Sequence, residues 1–122
     1  MVGTAYASDR IKLMENTDAS GKTTYFMVDE GVLKKCPGWD LRIAPPLSAA
    51  EAIAKAKKWL KQEDADVTAV HLNKVGGPPV LEDKWVYSLS LQGRVNGFPA
   101  DKFFFVVILM DGTVVQPSEK AK

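Results

Sequence analysis

The dipeptide Asn96-Gly97 separates two long segments of strand-like composition, residues 84–95 and 98–110. Asparagine and glycine tolerate the positive φ angles of a two-residue type I′ turn, so the pair predicts a β-hairpin. Such a turn also sets the register, because Val95 must then face Phe98. Continued without interruption, this register gives one apolar face with the cross-strand pairs Leu89 with Phe104, Tyr87 with Val106, and Trp85 with Ile108.

The second strand of this hairpin is apolar on its other face as well, at Phe103, Phe105, Val107 and Leu109. A strand with apolar side chains on both faces is normally central and is covered on both sides. One cover can be a helix packed on the first face. The four residues of the second face therefore form the candidate interaction face of the chain.

Residues 1–46 are the nearest segment that can cover this second face. Residues 11–14 and 23–28 predict a hairpin across the turn-like residues 18–21, and the alternation of Trp39, Leu41 and Ile43 predicts a third strand. We expect this region to supply the cover. The alternative is a homodimer or another protein partner.

The clearest helix signal is the capping box Ser48-Ala49-Ala50-Glu51. The Ser48 hydroxyl can accept the backbone N–H of Glu51, while the Glu51 carboxylate reaches back to the backbone N–H of Ser48. We predict a helix over residues 48–62. Its apolar stripe consists mostly of alanine, and such small side chains allow a helix to lie close to a sheet.

These elements predict the α+β class, with one main helix packed on an antiparallel β-meander of about four strands and an additional N-terminal β-hairpin and strand region. The meander would consist of residues 67–75, the central hairpin, and a short edge strand at residues 113–116 after the turn Asp111-Gly112. We expect residues 1–46 to form a strand-rich extension on the same core as residues 47–122. The chain is then one domain.

Composition and charge exclude several kinds of function. Sixteen Lys and Arg residues against fifteen Asp and Glu residues give a net charge of +1, so we expect no nucleic-acid partner. The longest apolar run, residues 103–110, is far shorter than the roughly 20 residues of a transmembrane helix. The single His71 and the single Cys36 give no metal-ligand pattern, and Cys36 is expected to be a free loop thiol. We predict no metal, no cofactor and no enzymatic activity.

A capped alanine-rich helix, a strand, then Trp85-Val86-Tyr87 and an Asp111-Gly112 turn together resemble a PepSY-type domain. This family is a cystatin-like helix-and-sheet module of exported bacterial proteins and of propeptides of secreted metallopeptidases. The resemblance covers residues 47–116 and implies a periplasmic or secreted location, no catalysis, and binding or restraint of a peptidase or another extracytoplasmic protein. Ala5-Tyr6-Ala7 fits either a trimmed signal-peptidase site or an ordinary N-terminus.

Two hypotheses about function follow. The first is a non-enzymatic exported binding or regulatory module, whose face at Phe103 and Phe105 meets either the N-terminal hairpin or another protein. The alternative is a cystatin-like or nuclear-transport-factor-like cone, whose sheet holds a small apolar ligand against Trp85, Tyr87 and Trp59. A cavity between helix and sheet would distinguish the two.

Overall fold

The computed structural model of the protein describes residues 10–75 and 83–119. The small-x-small pattern at residues 5–7 and the predicted strand end at residues 76–79 lie outside the described residues. In chain order, the elements are β1 (Arg10–Thr17), β2 (Thr23–Asp29), α1 (Glu30–Lys35), α2 (Ala49–Leu60), β3 (Asp66–Lys74), β4 (Trp85–Val95), β5 (Phe98–Leu109) and β6 (Pro117–Ser118).

The strands form two antiparallel sheets of three strands each, in the orders β1-β2-β6 and β3-β4-β5. The fold is therefore mostly β with some helix. The expected four-stranded meander is not observed, because residues 113–116 make only an isolated bridge between Val114 and Ile108. Pro117, which directly follows the predicted edge strand, begins β6, and β6 pairs with β2. Proline has no N–H with which to extend a ladder along β5.

The predicted turn between β4 and β5 is confirmed. Asn96 and Gly97 have φ angles of 52° and 81°, and Val95 pairs with Phe98. A side chain with a Cβ would be strained at the φ angle of Gly97, whereas glycine is not. The local chemistry of this dipeptide therefore places the start of the hairpin as expected.

The register predicted for the rest of the hairpin is wrong by two residues. Leu89 pairs with Val106 and Tyr87 with Ile108, because the ladder shifts between Gln92 and Arg94. In β4, a single residue, Gly93, lies between these two positions. In β5, the three residues 100–102 lie between their partners Pro99 and Phe103. Since side chains alternate with a period of two, an irregularity of two residues leaves each side chain on its predicted face.

Helix α2 has the predicted N-terminus. The Ser48 Oγ accepts the Glu51 N–H at 3.0 Å, and the Glu51 Oε1 accepts the Ser48 N–H at 2.9 Å. The helix ends where Lys61 adopts a left-handed conformation with φ of 59°. Its buried residues Ala52 and Ala56 face β4 and β5, in a core that also contains Tyr87, Leu89, Leu91, Val106 and Ile108. Burial of each large apolar side chain in this core contributes about 1.5–3 kcal/mol.

The opposite face of β4 and β5 is covered by the N-terminal region, as we expected. The predicted hairpin exists as β1 and β2, and Phe26 and Val28 of β2 pack with Val107 and Leu109. Phe26 also meets Phe105 edge to face, with ring centroids 5.5 Å apart. The central hairpin thus lies between helix α2 on one side and the β1-β2-β6 sheet on the other.

The third N-terminal strand, predicted at Trp39, Leu41 and Ile43, is wrong. Leu41 has a φ of 74°, which an extended strand does not allow. The intervening Asp40 and Arg42 explain the turn, because the Asp40 carboxylate accepts hydrogen bonds from both the backbone and the guanidinium of Arg42. The apolar residues alternate as in a strand, but the polar side chains between them favour a local turn, and the turn forms.

Helix α1 was not predicted, and it supplies part of the cover. Its Leu33 is fully buried in the core shared with β2 and β5. At its C-terminal end, the Nζ of Lys84 donates hydrogen bonds to the backbone oxygens of Lys34, at 3.2 Å, and Cys36, at 2.6 Å. Lys84 is only 9% exposed. This lysine therefore joins the start of β4 to the end of α1.

Candidate functional site

A groove with a volume of about 600 Å³ runs between the β1–β2 turn and the strands β4 and β5. Its apolar side is formed by Phe103, Phe104 and Phe105, and polar groups of the turn and of Thr68 and Ser90 line the rest. Phe103 is 66% exposed. A large apolar ring is thus presented to solvent beside a polar wall.

The four residues of the candidate interaction face differ in their exposure to solvent. Val107 and Leu109 are fully buried beneath β2 and α1, and Phe105 is half-buried against Phe26. Only Phe103 remains exposed. The N-terminal cover therefore ends before the first residue of the face, and an external partner can reach the sheet there.

The wall opposite Phe103 is an ordered turn. The Oδ1 of Asp18 accepts hydrogen bonds from the Ser20 N–H, the Ser20 hydroxyl and the Lys22 N–H, at 2.9, 2.6 and 3.0 Å. The hydrogen bond from the Ser20 side chain, followed by that from the Lys22 backbone, lowers the pKa of Asp18. The carboxylate is thus held in its charged form and organises the turn that borders the groove.

The structure places the three residues of the alternative ligand face in different surroundings. Tyr87 is 1% exposed, and its hydroxyl donates to the Leu47 backbone oxygen at 2.6 Å. Burial, and then the nearby charge of Glu51, raises the pKa of this hydroxyl. Trp59 is exposed on the helix, while Trp85 is half-buried and contacts Trp39. The space against Tyr87 is filled by the alanines of α2 and the surrounding core.

A smaller cleft of about 260 Å³ lies at the start of β4, where Trp85 meets Trp39. The two ring centroids are 5.2 Å apart and the ring planes are inclined by 72°. The indole N–H of Trp39 donates to the Ile43 backbone oxygen at 2.7 Å, and its backbone N–H donates to the Asp83 backbone oxygen at 2.9 Å. This cleft was not predicted, because the sequence pattern placed Trp39 in an N-terminal strand and indicated no contact between Trp39 and Trp85.

The single histidine and the single cysteine lie apart from the groove and from the tryptophan cleft. Within residues 10–75 and 83–119, no group of three or more His, Cys, Asp or Glu side chains could hold a metal ion. His71 is exposed on β3. Cys36 is a free thiol just after α1, as predicted, but it is buried. Burial, followed by the charge of Asp111, raises the pKa of its thiol. This environment disfavours the reactive thiolate.

No helix among the described residues is long and apolar enough to cross a membrane. No protein-family model, curated protein or solved structure matches the chain.

Proposed function

We propose that the chain is a non-enzymatic binding module that engages another protein through the groove beside Phe103. The observation that carries this proposal is the 66% exposure of the Phe103 ring at the edge of a groove of about 600 Å³. Aromatic residues are enriched at the centres of protein interfaces, where one buried ring can contribute much of the binding free energy. The groove offers such a ring together with hydrogen-bonding groups.

The chemistry of the groove favours an extended segment of a protein partner. The Phe103 ring can receive an apolar side chain, and the Ser90 hydroxyl can form a hydrogen bond to a neighbouring backbone. The Thr68 hydroxyl already donates to the Ser90 backbone oxygen at 3.1 Å and can still accept a hydrogen bond. The turn at Asp18 is already ordered by its own hydrogen bonds, so little conformational entropy is lost there on binding. These features support binding without a chemical step.

The location and the class of partner in this proposal rest on the resemblance to PepSY-type domains. That resemblance favours a periplasmic or secreted protein that restrains a peptidase or another extracytoplasmic protein. It is carried by the capped helix, the strand that begins at Trp85 and the turn at Asp111 and Gly112. A self-complex of two copies is the competing occupant of the same groove.

Selection of binding peptides from a random library, followed by chemical-shift mapping, tests the groove directly. We expect shifts on residues 16–20, on Ser90 and on residues 103–105. Phe103→Asp should lose binding by tenfold or more, on the order of 1.4 kcal/mol. Phe98→Asp is the matched control, because Phe98 is 73% exposed on the same strand and does not line the groove.

Three outcomes would contradict the proposal. Peptides that shift resonances only outside the groove would show that binding occurs at another surface. Equal losses of affinity in the two aspartate variants would show a non-specific apolar contact. A folded wild-type protein that selects no peptide at all would remove the basis for a binding groove. Light scattering on the same samples distinguishes a second copy, because self-association through the groove would be lost in Phe103→Asp and retained in Phe98→Asp.

A further inference from the structure

The cleft at the start of β4 has two aromatic walls that meet at a steep angle. The Trp39 and Trp85 rings are inclined by 72°, with centroids 5.2 Å apart. Both rings are half-buried, so each is held by the fold while part of its surface reaches solvent. The face of an indole ring carries partial negative charge and attracts a cation within about 6 Å. The two indoles meet edge to face and both line the cleft, so an alkylated ammonium group can lie against the ring surface that remains exposed there.

A carboxylate lies at the same corner. The Asp83 side chain occupies the space that a Cβ would take at position 38, so the absence of a side chain on Gly38 allows this position. Asp83 also accepts the Trp39 N–H through its backbone oxygen at 2.9 Å. Its carboxylate has no ion pair with any residue of the described ranges. The second carboxylate of the cleft, on Asp40, is already paired with Arg42 at 3.0 Å.

A cationic side chain completes the lining. Lys74 is the cross-strand partner of Trp85 in the β3–β4 ladder and lines the cleft. It also has no ion pair within residues 10–75 and 83–119. A simple cation would be repelled by Lys74, and a simple anion by Asp83. A molecule that carries both charges can interact favourably with each.

We infer that this cleft binds a small zwitterion with an alkylated ammonium group and a carboxylate. The ammonium lies against Trp39 and Trp85 with its charge balanced by Asp83, and the carboxylate lies toward Lys74. The cleft volume of about 260 Å³ is below the range of about 300–1,000 Å³ that is typical of drug-sized ligands, so the ligand is small. This site is separate from the groove beside Phe103, and neither depends on the other.

Glycine betaine is the probe, and tryptophan fluorescence with chemical-shift mapping is the readout. We expect saturable binding in the millimolar range, with shifts on the indole N–H groups of Trp39 and Trp85. The uncharged-carbon analogue 3,3-dimethylbutanoate has the same shape without the positive charge. It should bind about fivefold more weakly or worse, since only the cation–π and Asp83 interactions are removed. Choline, which lacks the carboxylate, should bind about twofold to fivefold more weakly.

Single substitutions distinguish a loss of this site from a general effect on the fold. Trp39→Leu should weaken betaine binding about threefold to tenfold, and Asp83→Asn about twofold to fivefold. Trp59→Phe is the matched control, because Trp59 lies on helix α2 outside the cleft and its replacement should leave both affinity and fluorescence response intact. Lys74→Gln should bring the affinity for betaine to that for choline.

The inference is overturned if 3,3-dimethylbutanoate binds as tightly as betaine, if betaine binding does not occur, or if Trp39→Leu and Asp83→Asn leave it unchanged. Choline that binds as tightly as betaine would overturn the assignment of Lys74 and of a zwitterion. Should Trp39→Leu fail to fold, Asp83→Asn together with the two analogues still decides the question.

Discussion

Replacement of Lys84 by methionine tests the link between β4 and helix α1. Methionine keeps an unbranched chain of similar length but removes the ammonium that donates to the backbone oxygens of Lys34 and Cys36, at 3.2 and 2.6 Å. A hydrogen bond to a charged group contributes about 1.5–3 kcal/mol, and the two bonds share one ammonium. Loss of both, with two carbonyl groups left unpaired, should lower the free energy of unfolding by roughly 2–4 kcal/mol.

Urea unfolding followed by circular dichroism measures this loss, and hydrogen exchange locates it. The slope of the unfolding free energy against urea should stay unchanged, because the surface exposed on unfolding is the same. Amides of residues 33–36 should exchange faster in the variant. Lys74→Met is the matched control, since Lys74 is exposed at the end of the neighbouring strand, and it should change stability by less than about 0.5 kcal/mol. A Lys84→Met protein as stable as this control would refute the reasoning.

Three further predictions concern other buried or capping groups. Tyr87→Phe should cost about 1–2 kcal/mol by leaving the Leu47 carbonyl unpaired. Because the folded-state pKa of Tyr87 is raised, the greater free energy of unfolding of the wild-type protein is fully present below about pH 10 and is lost as the pH rises further. Urea unfolding across this range should therefore show the stabilities of the two proteins converging, and a constant difference would contradict this. Ser48→Ala should cost about 1 kcal/mol in the same assay, whereas Glu51→Gln, which keeps a hydrogen-bond acceptor, should change stability much less, and equal effects would argue against the capping box. Cys36 should react slowly with a thiol reagent in the folded protein and rapidly in urea, and equal rates would show that the thiol is not buried.

Features set by residues close together in the sequence were predictable. The capping box at Ser48 and Glu51 and the hairpin turn at Asn96 and Gly97 depend on hydrogen bonds and φ angles within four residues, so the sequence determines them directly. The need for a cover over the second face of β5 was also predictable, because two-sided apolar strands are central. The structure places β1, β2 and α1 there.

Features that depend on competition between distant segments were not predictable. The alternation at Trp39, Leu41 and Ile43 is typical of a strand, but a strand forms only where a partner strand is available. Here the segment forms the local turn around Asp40 instead. Helix α1 has six residues, too few for a periodic signal to stand out. The pairing of β6 with β2 rather than with β5 likewise depends on which edge lies nearby.

The candidate sites show the same division. The two-sided apolar pattern indicated the strand that carries Phe103, but only the three-dimensional extent of the N-terminal cover distinguishes this exposed ring from the buried Val107 and Leu109. The cleft between Trp39 and Trp85 depends on a loop whose path was predicted incorrectly. A pair of tryptophans far apart in the sequence gave no signal that they would meet.

The irregular stretch of β5 opposite Gly93 bears on which length changes this protein can tolerate. Deletion of one residue from positions 100–102 would leave two residues opposite Gly93, which is the arrangement of a β-bulge and which the chain already adopts at Leu13 of β1 and Thr68 of β3. Deletion of two residues would restore an uninterrupted ladder and keep both cores intact. This segment can therefore change length while Phe103 stays paired with Gln92, and it is a natural place to insert residues that carry a label or a crosslinker.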